Sequence, residues 1–214
     1  MTELTRQEIG MSKRITDYQM LRERVPQAIA ERVPDPKRWL DIGCGCGGSV
    51  RRSLESFPNC RFTLVDPMPE NIEEVKHTTD GKCDYIVASS HDLDIPDGTF
   101  DVITAILSHH YYSDLSLKEK AVSNCRRMLK NGGVFLYVEH TIYDDQSAKD
   151  AEWRSYMENK GLEETSIQEM FDRRNKVYFP LGKKDHIDML KRVGFKDIEV
   201  FWRSCSDIGF IASR

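Results

Sequence analysis

Short apolar segments alternate along the chain with segments whose apolar positions recur at helical spacing. Five apolar segments predict strands: 39–42, 62–65, 85–88, 100–107 and 134–138. Between them, apolar residues three or four positions apart, such as Val50, Leu54 and Phe57, predict amphipathic helices. Regular alternation of strands and helices favours a mostly parallel sheet with helices on both faces, so we expect an α/β fold.

This pattern is interrupted at residue 144 and resumes at residue 185. Segment 144–184 is rich in charge and contains two helical stretches, the second behind a Thr165-x-x-Gln168 capping box, so we interpret it as a helical lid insertion. Beyond it, the pattern predicts a helix that ends at Gly194 and two last strands near 197–202 and 207–212. These strands are close in sequence and should be antiparallel neighbours, which gives a seven-stranded sheet with an antiparallel last strand.

The N-terminal residues predict a helical arm. Leu21, Val25, Ile29 and Val33 share one helical face, and Pro26 should begin a new helix, so residues 15–33 predict two short helices. The length of 214 residues with 39% hydrophobic content suits one domain with one core. We divide this domain into an arm (1–36), a cofactor-binding core (37–143), the lid insertion (144–184) and a closing helix with two strands (185–214).

Composition restricts the classes of partner. A net charge of −4 offers no global attraction to a polyanion and disfavours nucleic acid. No signal-like run or membrane-length apolar stretch is visible, so we expect a soluble, cytoplasmic protein with no membrane partner, either monomer or homodimer. Six cysteines in mostly apolar segments predict free thiols.

The run 39–48 carries the most specific signal, because an apolar strand ends there in a glycine turn. Such a turn brings backbone N–H groups against a small anionic ligand, which predicts a nucleotide-like cofactor. Gly43-x-Gly45-x-x-Gly48, with Asp66 23 positions after Gly43, also matches the dinucleotide fingerprint of nicotinamide enzymes. Cys44-x-Cys46 has no second cysteine pair, so we predict no metal site.

The ordered motifs resemble the class I S-adenosylmethionine-dependent methyltransferases. Asp41, Gly43, Gly45 and Gly47 fit the first motif of that family, Asp-x-Gly-x-Gly-x-Gly. Segments 65–70, 95–102 and 129–134 match its later motifs in order, and Gly194-Phe195 before two closing strands matches its usual ending. The resemblance implies a Rossmann-like sheet, S-adenosylmethionine as cofactor and S-adenosylhomocysteine as product.

The resemblance also implies roles for individual residues. Asp41 would hold the glycine loop and the amino group of the cofactor, Asp66 would accept both ribose hydroxyls, and Pro67 and Met68 would lie against adenine. A residue of the segment 89–92 would contact the amino group of adenine. The sequence does not distinguish among its four members, Ser89, Ser90, His91 and Asp92. The full set expected at the cofactor is Tyr18, Asp41, Gly43, Cys44, Gly45, Gly47, Asp66, Pro67, Met68, Ser89, Ser90, His91 and Leu107.

The expected chemistry is direct methyl transfer to a small-molecule acceptor, without a covalent enzyme intermediate. His109, His110 and Glu139 are the candidate catalytic residues, with His140 beside them, because they follow strands four and five at the edge where the ligand should lie. Five residues of the insertion either close over a planar or anionic acceptor or pack the lid onto the core: Trp153, Tyr156, Phe171, Arg173 and Arg174.

Two alternatives remain open. Segments 105–110 and 193–212 resemble the group of this superfamily that contains carboxy-S-adenosylmethionine synthase of tRNA wobble-uridine modification, although the glycine motif differs. A protein that binds S-adenosylmethionine and transfers nothing is the other.

Overall fold

The fold is an eight-stranded mixed sheet with helices on both faces. The computed structural model describes residues 6–214, with side chains from residue 8 onward. The strands are β1 Arg38–Ile42, β2 Arg61–Asp66, β3 Asp84–Val87, β4 Phe100–Ile106, β5 Leu129–Ile142, β6 Leu181–Gly182, β7 Lys196–Arg203 and β8 Asp207–Ser213. The helices are α1 Arg6–Arg14, α2 Tyr18–Ala30, α3 Val50–Ser56, α4 Pro69–Thr78, α5 Leu115–Met128, α6 Gln146–Asn159, α7 Glu164–Asp172 and α8 Lys183–Val193.

Seven strands form one continuous path in the order β3-β2-β1-β4-β5-β8-β7, and the two-residue β6 pairs with the end of β5. Strands β1 to β5 are parallel, while β8 runs antiparallel to both of its neighbours. The expected α/β class and antiparallel last strand are therefore confirmed.

Alternate residues of the central strands pack into two hydrophobic cores, one on each face of the sheet. Trp39 packs with Leu21 and Ile29 of α2 on one face. Leu40, the next residue of β1, packs with Val122 of α5 on the other face. Because both faces are covered, the ligand site must lie at an edge of the sheet.

The prediction of two short helices in the arm is wrong, because α2 continues through Pro26. A proline inside a helix removes one hydrogen bond and costs roughly 3 kcal/mol. Leu21, Val25 and Ile29 are almost fully buried on one face of this helix. Each such burial contributes about 1.5–3 kcal/mol, so together they outweigh the cost of the proline.

The boundary between α5 and β5 also differs from the prediction. The helix ends at Met128, and Leu129 already pairs with Phe100 of β4, so the Asn131-Gly132-Gly133 segment lies within the strand. The register shifts between Phe100 and Val102, and Gly132 has a φ of 76°. The glycines therefore form an irregularity inside β5, which begins before the predicted segment 134–138.

The predicted capping box is wrong as well. Helix α7 begins at Glu164, which places Thr165 inside the helix. The side chain of Gln168 instead donates to Asp172 at 2.9 Å. Tertiary packing sets this boundary, because Ile167 is fully buried in a small core that the insertion forms with Trp153 and Met157.

The insertion is fastened to the N-terminal arm. Trp153 Nε1 donates to the carbonyl of Arg14 at 2.7 Å, and Tyr156 donates to the carbonyl of Ser12 at 2.9 Å. All six cysteines are free, as predicted. Among the helices of residues 6–214, none has the length and apolar content needed to cross a membrane.

Candidate active site

A cavity of about 580 Å³ opens at the carboxyl ends of β1, β2 and β4. Ile42, Asp66 and Ile106, which end these strands, all contribute to its wall. Successive strands run outward in opposite directions from the boundary between β1 and β4, and ligands of open α/β sheets bind at such a point. The fold therefore places the cavity where a cofactor site is expected.

The glycine turn after β1 closes one side of this cavity. It packs so closely against the turn after β4 that there is no room for a side chain at Gly43. This glycine has a φ of 68°, and a Cβ there would lie 2.3 Å from the Cβ of Ser108. Gly47 has a φ of 86° and packs against Val75 of α4. Any larger residue at Gly43 would displace the turn after β4.

The backbone N–H groups of the turn are used inside the fold, contrary to the expectation that they bind an anion. Gly43 and Cys44 both donate to the carbonyl of Val65, at 2.8 and 3.0 Å. Gly45 donates to Asp66 Oδ2 at 2.9 Å. These glycines shape the wall, while their N–H groups hold the turn to β2.

Asp66 joins the turn to the start of α4. In addition to Gly45, its carboxylate accepts hydrogen bonds from Met68 N at 3.0 Å and Asn71 Nδ2 at 2.9 Å, both at Oδ1. An ionised carboxylate has about four acceptor positions, so about one remains, on Oδ2. Asp66 lines the cavity and can therefore accept one ribose hydroxyl rather than the two expected.

Ten of the thirteen residues expected at the cofactor line the cavity. They are Tyr18, Gly43, Cys44, Gly45, Asp66, Pro67, Met68, Ser89, Ser90 and Leu107. Tyr18 reaches it from the start of α2, where its hydroxyl lies 3.4 Å from Ser49 Oγ. The arm thus forms part of the cavity wall.

Three expected cofactor residues, Asp41, Gly47 and His91, do not line it. Asp41 accepts a hydrogen bond from Thr104 Oγ1 at 2.5 Å, and burial raises its pKa to about 7. His91 Nδ1 lies 2.9 Å from the hydroxyl of Tyr112, which lines the cavity in its place. Asp41 therefore supports the strand beneath the site instead of holding the loop.

The turn after β4 forms the wall that adjoins the glycine turn, with Leu107, Ser108, His109 and Tyr111 in the lining. His109 Nε2 lies 3.0 Å from Ser90 Oγ. Burial, and secondarily the positive charge of Lys118, lower the pKa of His109 to about 3. The imidazole is consequently neutral at physiological pH.

The other two candidate catalytic residues, His110 and Glu139, lie behind this wall and not in the lining. The His110 ring is held between Tyr111 and His140, with centroid distances of 4.4 and 4.6 Å. Glu139 is fully buried, and its Oε1 accepts a hydrogen bond from the backbone N–H of His109 at 2.9 Å. His109 alone of the three is placed to touch an acceptor.

Most of the residues singled out in the insertion fasten it in place. Arg174 forms an ion pair with Asp150 at 2.6 Å, and Phe171 packs beside Trp153, with ring centroids 5.3 Å apart. Arg173 differs, because its positive charge acts on both Tyr111 and His110. It is the residue of the five whose charge acts on a residue of the cavity wall, Tyr111.

Comparison with known proteins agrees with this geometry. A family model described as a methyltransferase domain matches residues 40–137. Demethylmenaquinone methyltransferase from Thermotoga maritima is 30% identical over 119 residues, which cover 55% of this chain and 49% of that protein. Carboxy-S-adenosyl-L-methionine synthase from Marinobacter nauticus is 24% identical over 219 residues, covering 91% of this chain and 85% of the synthase.

Among solved structures, human N-acetylserotonin methyltransferase in complex with S-adenosylmethionine has a TM-score of 0.67 at 14% identity, covering 97% of this chain and 55% of that one. Residues 40–137 therefore match a methyltransferase domain, and the solved structure shares the expected fold. The expected resemblance to S-adenosylmethionine-dependent methyltransferases is thereby confirmed, and the comparisons support S-adenosylmethionine as the cofactor. The chain spans about half the length of the first curated relatives that it matches.

The site also contains residues that the sequence did not single out. Met11 and Asn71 line the cavity, and Lys118 is fully buried behind it. Asn71 lies in the first turn of α4, five residues after Asp66, a spacing that could have identified it. Lys118 gave no signal, because a lysine on an amphipathic helix is normally assigned to the surface.

Proposed function

We propose that the chain transfers the methyl group of S-adenosylmethionine directly to an uncharged small-molecule acceptor. The observation that carries this proposal is one cavity with two kinds of wall. One wall holds the glycine turn and Asp66, and the other holds the turn after β4 with His109. S-adenosylmethionine supplies an activated methyl group and a good leaving group, so the protein has to bind, orient and exclude water.

The cofactor fits the residues present. Asp66 keeps an acceptor position for a ribose hydroxyl, and Met68, about half exposed at 53%, offers an apolar surface for adenine. The absence of a side chain at Gly43 lets the cofactor approach the main chain closely. Tyr18 would cover the methionine end from the arm.

An uncharged acceptor is favoured by the charge of the lining. Among the described residues that line the cavity, Asp66 alone is formally charged, and it lies on the cofactor side. His109 is neutral, and Tyr111 and Met11 add apolar surface near the mouth. A buried anion or cation at the acceptor position would lack a partner of opposite charge there.

His109 would orient the acceptor rather than take its proton. Its Nδ1 is buried and has no hydrogen-bond partner among the described residues, so an acceptor that displaces the groups covering it would find a free hydrogen-bonding position there. A pKa near 3 makes the imidazole a weak base, so proton removal would be completed by solvent. Orientation of the nucleophile is then its contribution to the rate.

The test is a panel of uncharged phenols, alcohols, thiols and amines beside matched carboxylates, with S-adenosylhomocysteine formation and product mass as readouts. We expect turnover only with uncharged acceptors. His109→Ala should lower kcat by about 10- to 100-fold with unchanged affinity for S-adenosylhomocysteine. The exposed His77, replaced in the same way, is the control. Tight cofactor binding without turnover across the panel would support the binding-protein alternative.

A synthase related to the carboxy-S-adenosylmethionine enzymes is the second candidate. The Marinobacter relative matches this chain nearly end to end, and the positive charge of Arg173, which acts on Tyr111 of the cavity wall, would suit a carboxylate. The mass of the nucleoside released from the purified protein by denaturation separates the two functions. A carboxylated sulfonium that is lost in Arg173→Met would favour the synthase.

The cytoplasmic location and the monomeric or homodimeric state stay predictions from the sequence.

A further inference from the structure

We propose that Glu139 is a positioning residue, whose carboxylate holds the turn after β4 from behind and so places Ser108 and His109 against the cavity. This inference rests on the proposed function, because it assigns Glu139 a part in methyl transfer. It replaces the expectation that Glu139 acts directly on the substrate.

The turn needs to be held because it begins in an unfavourable backbone conformation. Leu107 has a φ of 54°, in the left-handed region that favours glycine. Its N–H donates to the carbonyl of Val138 at 2.7 Å, so the first residue of the turn is tied to β5. Glu139 is the next residue of β5, in position to hold the residues that follow.

The geometry of the Glu139 side chain is that of a support. Its Oε1 accepts a hydrogen bond from His109 N at 2.9 Å, and the nearby backbone N–H of Ser108 also lowers the pKa of the carboxyl group. Its Oε2 is buried with no hydrogen-bond partner among the described residues, and it lies 4.0 Å from His110 Nδ1, which also lacks one. Neither oxygen belongs to the cavity lining.

How strongly Glu139 holds the turn after β4 depends on the charge of its carboxylate. An ionised carboxylate accepts backbone N–H hydrogen bonds about twice as strongly as a neutral group. Protonation would occur at the unpartnered Oε2 and would allow Glu139 to donate to His110 Nδ1. Closing that 4.0 Å gap would draw the carboxyl group away from the turn.

Several titratable groups surround this carboxylate and act on its charge. Those interacting with it are Lys118 from α5, His140 and Tyr137 from β5, and His109, His110 and Tyr111 from the turn. Burial raises the pKa of Glu139 to about 7, although Lys118, the hydrogen bonds to the turn and His140 lower it. The folded protein therefore retains the proton up to about neutral pH, and the turn is held firmly only above it.

The experiment compares wild type, Glu139→Gln and Glu139→Leu between pH 6 and pH 9. In wild type, kcat should fall as the pH drops through about 7. Glu139→Gln keeps an oxygen that accepts from the backbone N–H of His109, so it should bind S-adenosylhomocysteine normally and lose the dependence of kcat on pH near 7. Glu139→Leu leaves this donor buried and unpaired, and displacement of His109 should lower kcat by about 100-fold.

A second readout does not depend on turnover. Hydrogen exchange of peptides covering residues 107–110, corrected for intrinsic rate, should increase below pH 7 in wild type and stay level in Glu139→Gln. Glu199→Gln, exposed on β7 and paired with Arg32, is the matched control. The proposal would be overturned if kcat of Glu139→Gln still fell below about pH 7, or if Glu139→Leu kept full kcat. The expected exchange without turnover of any acceptor would instead refute the proposed function.

Discussion

Replacing Asp66 by asparagine separates its two roles, as a support of the glycine turn and as a partner of the cofactor. The carboxylate accepts one hydrogen bond at Oδ2, from Gly45, and two at Oδ1, from Met68 and Asn71. Asparagine keeps most of these bonds when its oxygen takes the Oδ1 position. Its NH₂ group then faces the N–H of Gly45, and that hydrogen bond is lost.

Loss of one hydrogen bond to a charged acceptor costs about 1.5–3 kcal/mol, so the free energy of unfolding without ligand should fall by about this amount. The remaining acceptor position of Asp66 also lies on Oδ2. A ribose hydroxyl would therefore lose its acceptor too, which weakens binding of S-adenosylhomocysteine by a further factor of about 10 to 150.

Urea denaturation measures the first effect, and titration calorimetry with S-adenosylhomocysteine measures the second. Asp84→Asn is the control, because Asp84 forms an exposed ion pair with Arg61 at the opposite end of the sheet. A loss of stability with unchanged affinity would show that Asp66 only supports the turn, and the ribose contact would have to be abandoned.

Three further substitutions test other parts of the structure. Gly43→Ala should abolish cofactor binding and cost at least about 2 kcal/mol of stability, because of its φ of 68° and the contact with Ser108; retained affinity by calorimetry would contradict the site. His186 is fully buried and its pKa is lowered to about 3, so stability is lost as the pH falls below 6.5. Between pH 7.5 and 5 the free energy of unfolding should fall by about 2 kcal/mol less in His186→Phe than in wild type. If the urea midpoint shifts equally with pH in both proteins, this prediction is refuted. Glu8 forms ion pairs with Arg22 of the arm at 2.6 Å and with Arg51 of α3 at 2.8 Å, so Glu8→Gln should speed release of S-adenosylhomocysteine in stopped-flow measurements; an unchanged rate would show that the arm does not retain the cofactor.

The cofactor side of the site could be predicted because its signals are local. Gly43 and Gly45 are glycines that the backbone requires, with φ values of 68° and 50°, and Asp66 ends a strand whose apolar pattern is visible in the sequence. Elsewhere tertiary packing overrode local rules. Pro26 lies inside a helix because the residues around it are buried, and Thr165 lies inside α7 instead of capping it.

The acceptor side could not be predicted, because its contacts join segments far apart in the chain. Lys118 of α5 donates to the carbonyl of Phe179, at the end of the insertion, at 3.0 Å. The N–H of Phe179 donates to the carbonyl of His110 at 2.7 Å. No spacing within one segment indicates that these residues meet.

Burial of polar groups behind the turn has a consequence for the chemistry. Removing the imidazole of His109 from solvent makes it a poor base, yet the same burial raises the pKa of Glu139 into the physiological range. The group with the suitable pKa is therefore the one that does not touch the cavity, while the group that does is neutral. This division favours a site that orients an acceptor over one that deprotonates it, since transfer from a sulfonium demands alignment of the nucleophile before it demands a base.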